Sequence, residues 1–203
     1  MSGKDFLLSS PNIHSKNDLC FVWRNIYNLK LIKEKNIRFN EQVFIGEDVI
    51  FNLEVFLKSK RLIAVPEYLY FYRVNNPDSL MRSTYKPNLE NSLIIQYQVR
   101  KRLSIEYGLL DSKHFRKDMA YYYINNIFKL IKHNLKSVGI EKINISLRRI
   151  VNNEMIADSL KEIGLFYKCE NIKEYIYYMA LRLKIYPLLL QEFSKIPIKK
   201  GGR

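Results

Sequence analysis

The spacing of apolar side chains changes character after residue 87. Beyond that point apolar positions recur at intervals of three and four, the period of an α-helix with one buried face. The spacing predicts four long helices: Leu89–Tyr107, Ser112–Leu135, Glu141–Ile163 and Asn171–Tyr186. Gly108, Gly139 and Gly164 fall between them, where glycine favours the end of a helix. We therefore divide the chain into a first portion, residues 1–86, and a helical region, residues 87–203.

The first portion alternates short apolar runs with turns. Its one clear helix has the apolar face Val49, Ile50, Leu53, Phe56 and Leu57. Residues 37–39, 43–45, 61–65 and 67–74 are rich in β-branched or aromatic side chains and predict short strands. The expected fold class is therefore α/β, a partial sheet with one helix, followed by a mostly α-helical C-terminal region.

Composition adds a charge asymmetry to this picture. The 203 residues are 47% hydrophobic with a net charge of +14, of which residues 1–100 carry +4 and residues 101–203 carry +10. Lys173–Arg203 holds seven basic and two acidic residues among apolar ones, which is typical of a helix lying on an anionic membrane surface. A solvated terminal helix packed on the bundle explains the same pattern. Nucleic acid is disfavoured, because the basic residues are scattered and no recognition motif accompanies them.

Several kinds of site are excluded or disfavoured by what the sequence contains. The two cysteines are far apart, which indicates neither a disulfide framework nor a zinc site. His14, His114 and His133 lack the spacing of metal ligands, so we assign no metal within this chain. The first residues contain no apolar core of a signal peptide, and Tyr175–Leu190 is too short and interrupted to span a bilayer. We expect a cytoplasmic protein.

The strongest candidate for chemistry is the pair Glu47–Asp48 at the start of the predicted helix. A carboxylate there is favoured in its ionised form by the helix dipole and suits general-base catalysis. The simpler interpretation of an acidic pair at this position is a helix cap. Trp23 and Tyr27 precede the pair, and Arg73 follows it in an aromatic segment.

These residues fall into an ordered set of motifs over Phe21 to about Arg82. The set comprises Trp23 and Tyr27, the Ile37–Phe39 turn, Glu47, Asp48 and Phe51, and Tyr70, Tyr72 and Arg73 followed by Ser79. Their order and spacing resemble the acceptor-side half of family 2 glycosyltransferases, enzymes of the GT-A fold that build bacterial surface polysaccharides. The resemblance implies transfer of a sugar from a nucleotide-sugar donor to a polysaccharide or lipid-linked acceptor.

The resemblance also implies roles for individual residues. Asp48 would be the general base, and Glu47 would orient the acceptor or support the base. Arg73 would face the donor diphosphate, with Tyr70 or Tyr72 lining the same cleft, while Trp23 would stack on a sugar ring. A surface cation at Arg73 and a core position for Trp23 are the alternatives.

Departures from the family pattern limit the expected activity. Nothing before Phe21 can supply the nucleotide-binding half with its Asp-X-Asp metal motif, so transfer is expected to need a donor-binding half outside this chain. Mg²⁺ or Mn²⁺ is expected only with that missing half. Asn25 stands where many relatives have a lysine, and no histidine follows Arg73 at a position that would complete a metal site. The alternative is a noncatalytic basic helical module that docks on an anionic membrane surface or a partner, peripheral to the inner face of the membrane.

Overall fold

The computed structural model describes residues 1–16, 19–67, 69–71, 88–134 and 140–194; within these ranges, only the backbone is described for 133–143 and 191–194. The α-helices within these ranges are α1 (Gly3–Ser9), α2 (Leu29–Glu34), α3 (Glu47–Lys58), α4 (Leu89–Glu106), α5 (Lys113–Lys129), α6 (Ile140–Val151), α7 (Glu154–Ile163), α8 (Ile172–Arg182) and α9 (Tyr186–Ser194). Short 3₁₀ turns occur at Val22–Arg24 and Leu109–Asp111, and α5 continues into a π-helical turn, Leu130–Asn134.

The predicted α/β class is wrong, because no β-strand occurs in the part of the chain that the structure describes. Residues 61–66 and 69–71 have no regular secondary structure, and residues 68 and 72–74 of the predicted strands lie outside the described ranges. Leu62 exchanges backbone hydrogen bonds with Met1, at 2.8 Å for the Leu62 donor, and the Gly3 amide donates to the Ser59 carbonyl at 3.4 Å, but these contacts form no strand ladder. β-propensity becomes a strand only when a second segment supplies hydrogen-bond partners.

Helices occur throughout the described part of the region after residue 87, as predicted, but two of the four predicted spans differ from the structure. The predicted span 141–163 is two helices, because Asn153 caps α7 by accepting a hydrogen bond from the Met155 amide at 2.9 Å. The predicted span 171–186 ends earlier, where Lys184 has a positive φ of 55°, and α9 then begins at Tyr186. Two successive helices that each bury one face repeat their apolar residues with the same period of three and four. The sequence pattern therefore does not reveal where one helix ends and the next begins.

The chain forms two compact units, Met1–Tyr122 and Tyr123–Arg203. The boundary that the sequence predicts, at residue 86, lies outside the described residues. In the first unit the apolar face of α3 is the centre of the core, with Leu53 and Phe56 buried against Leu7 of α1 and Leu103 of α4. In the second unit the buried residues come from α5 to α9 and include Leu147, Ile150, Ile156, Tyr178, Leu181 and Leu189.

Gly3 allows α1 to approach α3 closely. A Cβ atom at this position would lie 1.6 Å from the carbonyl oxygen of Phe56, a distance that no side chain can occupy. Ser2 precedes it as the helix cap and accepts a hydrogen bond from the Asp5 amide at 3.1 Å. The N-terminal helix is thereby fixed against the last turn of the helix that carries Glu47 and Asp48.

Candidate functional site

The candidate site is built around the first turn of α3. Gly46 precedes the helix with a φ of 81°, a conformation that favours glycine, and the Gln96 side chain lies where a Cβ atom would stand. Gln96 of α4 also donates a hydrogen bond to the Ile45 carbonyl at 2.7 Å. The loop before Glu47 and Asp48 is therefore held by α4, which fixes where α3 begins.

Asp48 binds the backbone of a distant segment. Its Oδ2 atom accepts a hydrogen bond from the Phe21 amide at 2.7 Å, and Phe21 itself has a strained φ of 74°. No side chain caps α3, so this carboxylate links two segments rather than closing its own helix. Among the described residues no other hydrogen bond reaches Asp48, and its second oxygen stays available in a half-buried position.

An aromatic cluster adjoins the segment that Asp48 holds. The rings of Trp23 and Tyr70 stack with centroids 4.3 Å apart and planes inclined by 24°, and the Phe21 ring lies 5.2 Å from Trp23. The Arg24 guanidinium lies 5.6 Å from the Phe21 ring centroid. Trp23 is 37% exposed and so does not belong to the core. The cluster therefore presents flat aromatic surface in the segment whose backbone Asp48 binds.

Tyr27 and Phe51, two further residues of the ordered motifs, support the site from within. The Tyr27 hydroxyl donates to Asn52 Oδ1 at 2.6 Å, and the Asn52 amide donates to the Leu19 carbonyl at 2.7 Å. Burial raises the pKa of Tyr27, so its hydroxyl keeps its proton and remains a donor. Phe51 packs edge-on to Tyr27 and stacks on Phe39 at 4.1 Å. These residues fix α3 against the segment that contains Phe21.

Further polar residues of the first unit surround the segment that Asp48 binds and the loop before α3. Burial raises the pKa of the Cys20 thiol to about 12, and the negative charge of Asp48 adds to this effect. The thiol is therefore protonated at neutral pH and is not a nucleophile. Arg100 of α4 is fully buried, with its guanidinium 4.2 Å from the Tyr122 ring centroid. The Tyr122 hydroxyl donates to Gln96, which holds the loop before α3.

The structure brings some of the predicted residues together. Asp48, Trp23 and Tyr70 are connected through Phe21, and Glu47 is half-buried beside Asp48 at the helix start. Tyr72 and Arg73 lie outside the described residues, so their predicted roles stay predictions. Sequence reasoning missed Asn52, Gln96 and Arg100, which lie in helical patterns as isolated polar residues. Each of them is a polar residue on the apolar face of a predicted helix, and such a residue needs a hydrogen-bond partner when it is buried. This was the sequence signal that could have identified them.

Across the described ranges no group of three or more histidine, cysteine, aspartate or glutamate side chains could hold a metal ion. Within those ranges Glu47 and Asp48 supply two adjacent carboxylates. His14 is buried and contacts Arg100, and the His114 ring contacts the Pro11 carbonyl; the His133 side chain lies outside the described part.

Comparison with known proteins gives one informative relative. No protein-family model matches the chain, and no solved structure matches it. Over 150 residues it is 28% identical to an uncharacterized glycosyltransferase, EpsJ, of Bacillus subtilis (strain 168). The chain is similar to a glycosyltransferase. The matched residues are 73% of this chain and 43% of the relative, so the chain spans less than half of that protein's length.

Of the helices in the described ranges, none combines the length and the apolar character that crossing a bilayer demands.

Proposed function

We propose that this chain carries the acceptor-side catalytic residues of a family 2 glycosyltransferase. The observation that supports the proposal is the half-buried Asp48 carboxylate, with one oxygen held by the Phe21 amide at 2.7 Å beside the aromatic cluster. The 28% identity to a glycosyltransferase agrees with it. The nucleotide-sugar donor is bound by a donor-binding half that is not among these residues, and Mg²⁺ or Mn²⁺ belongs with that half.

Asp48 acts as the general base. Its free oxygen takes the proton from an acceptor hydroxyl while that hydroxyl oxygen forms a bond to the anomeric carbon of the donor sugar. The bond from the anomeric carbon to the diphosphate breaks, and the electron pair leaves with the nucleoside diphosphate. The Phe21 amide keeps the carboxylate in one orientation. The entropy cost of orienting the base in the transition state is therefore small.

The neighbouring residues bind and orient the substrates. Trp23 and Tyr70 cover one face of the acceptor sugar, and Glu47 hydrogen-bonds its hydroxyl groups. Arg73 stabilises the charge that develops on the diphosphate, and Tyr72 lines the same cleft. The acceptor is a glycan or a lipid-linked sugar, and the reaction takes place at the cytoplasmic face of the membrane, where nucleotide sugars are available.

The test is a chimeric enzyme. Residues 1–203 replace the matched segment of the Bacillus subtilis relative, which supplies the rest of the protein. Release of nucleoside diphosphate is measured with a panel of nucleotide sugars and bacterial membrane lipids as acceptors. Asp48→Asn should lower turnover by at least about 100-fold, the usual effect of removing a general base. The variant should still fold, because an asparagine oxygen can accept the Phe21 hydrogen bond.

The control is Glu54→Gln, a carboxylate on the same helix that pairs with Lys58. This variant should turn over like the chimera without substitutions. Unchanged turnover in Asp48→Asn would remove Asp48 from the mechanism. A folded chimera that releases no nucleoside diphosphate, beside an active Bacillus subtilis protein, would overturn the proposed function itself.

A further inference from the structure

The loop between α7 and α8 presents two apolar side chains to solvent. α7 ends at Gly164, whose φ of 71° and ψ of −142° are accessible essentially to glycine alone. Leu165 and Phe166 follow, and Phe166 is 92% exposed. Tyr167 turns inward instead and stacks on Tyr178 at 4.3 Å. The chain thus places two consecutive large apolar side chains in water while burying the next one.

This loop is held in place by side chains of α8. The Tyr178 hydroxyl donates to the Gly164 carbonyl at 2.5 Å, and the Tyr175 hydroxyl donates to the Leu165 carbonyl at 3.2 Å. Arg182 donates to the carbonyl of Leu160 at 2.7 Å and also to that of Gly164. With its backbone fixed, the loop cannot turn Leu165 inward. A surface presented in this rigid form loses little conformational entropy when it binds.

A row of apolar side chains on α8 extends the exposed surface. Ile172, Ile176 and Leu183 are all exposed, and Ile172 is 73% exposed. They follow one another at intervals of four and seven residues, which places them on one face of a helix. We call Leu165, Phe166, Ile172, Ile176 and Leu183 the apolar edge. Lone exposed apolar residues are ordinary, whereas five large exposed apolar side chains within residues 165–183 are typical of an interaction surface.

The charge around the apolar edge is complementary to an anionic surface. Lys161, Lys168, Lys173 and Lys184 are exposed on α7, in the loop and at the two ends of α8. Residues 123–203 carry 15 Lys or Arg and 7 Asp or Glu, a net charge of +8. Glu170 is also exposed in this stretch, and exposed apolar side chains accompanied by such an excess of lysines are suited to the boundary between lipid headgroups and acyl chains.

We propose that the apolar edge docks the second unit on the surface of an anionic lipid bilayer. Phe166 and Leu165 enter the boundary between headgroups and acyl chains, and the row on α8 lies along it. The surrounding lysines contact the lipid phosphates. The proposal concerns the second unit alone and does not depend on glycosyltransferase activity.

The test is co-sedimentation of the full chain with lipid vesicles. The wild-type chain should bind vesicles of phosphatidylcholine containing phosphatidylglycerol and bind pure phosphatidylcholine vesicles weakly. Leu165→Ser and Phe166→Ser together should lower the partition coefficient by at least about tenfold, because each side chain leaves an apolar environment. Raising the salt from about 0.1 M to about 1 M should weaken wild-type binding, since screening shortens the reach of the lysine charges.

Phe71→Ser is the matched control, because Phe71 is 93% exposed and belongs to the first unit. It should bind vesicles as the wild-type chain does, and all variants should keep the wild-type melting temperature. Wild-type binding by the double variant would overturn the proposal. The proposal would also be overturned if the wild-type chain bound nucleic acid and did not bind vesicles. Light scattering that showed Phe166 to form a dimer contact, with no vesicle binding, would have the same meaning.

Discussion

His14 is held in its neutral form by its surroundings. Arg100 can only donate, so the contact of 2.9 Å between its Nη1 atom and His14 Nδ1 makes Nδ1 the acceptor. The remaining proton of the ring is then on Nε2. Burial lowers the pKa of His14 well below its usual value, and the positive charge of Arg100 lowers it further. Asp118 supports the same segment, since it accepts from the His14 amide at 2.7 Å.

This lowered pKa predicts a loss of stability in mild acid. As the pH falls through about 6.5, the histidine of the unfolded chain takes up a proton while His14 in the folded chain does not. The unfolded state is then favoured by up to about 1.4 kcal/mol for each further pH unit. Urea unfolding at about pH 7.5 and about pH 5.5 should show a smaller decrease for His14→Gln than for the wild-type chain. Equal decreases would mean that His14 is protonated in the folded protein.

At the scale of single residues, the sequence identified Asp48 and Trp23 but not what holds them. The hydrogen bond from the Phe21 amide joins residues 27 positions apart, and a left-handed Phe21 has no signature in composition or period. The hydrogen bond from Asn52 to the Leu19 carbonyl was equally unpredictable. The sequence shows a polar residue on an apolar helical face but does not identify the carbonyl group that it will bind. Contacts of this kind depend on the packing of whole elements. The order of the motifs predicted which residues belong to the candidate site. The structure shows the hydrogen bonds that connect those residues to one another.

At the scale of elements, helices were predictable and strands were not. A helix satisfies its backbone within one segment, so the apolar period of α3 or α4 contains most of what defines it. A strand needs a second segment, and the sequence of residues 61–65 does not say whether one is available. The structure forms no strand at residues 61–65, and the side chains of Ile63 and Val65 are exposed.

The packing of α1 on α3 gives a prediction about Gly3. Gly3→Ala should lower the free energy of unfolding by about 1–3 kcal/mol, because its Cβ atom would overlap the Phe56 carbonyl and force the helices apart. Lys4→Ala introduces the same residue at the next, exposed position of α1 and should change stability by at most about 0.5 kcal/mol. Chemical denaturation of the two variants compares them directly. Similar values would show that α1 can move away from α3 without cost.

At the scale of the whole molecule, the irregular segment of residues 61–66 exposes the apolar side chains of Ile63 and Val65. Leu62 is the exception, since it packs against the core of the first unit while Ile63 points into solvent. Ile63→Ser should therefore leave the melting temperature unchanged and reduce self-association at high concentration. Leu62→Ser should lower the melting temperature.

The two variants differ by one position along the chain, so thermal unfolding and light scattering separate the effects of burial and exposure. A lower melting temperature for Ile63→Ser would indicate that this side chain has a packing partner in solution. The covered surface would then be part of a contact that residues 61–66 make in the folded protein.

The stacking of Trp23 on Tyr70 has an optical consequence. Trp23 is the single tryptophan of the chain. All tryptophan fluorescence therefore comes from one partly exposed indole in the candidate site. A ligand that covers this ring should shift its emission to the blue and protect it from quenching by acrylamide. Tyr70→Ala should shift the emission of the unliganded protein to the red. The unlabelled protein thus contains its own spectroscopic reporter of site occupancy.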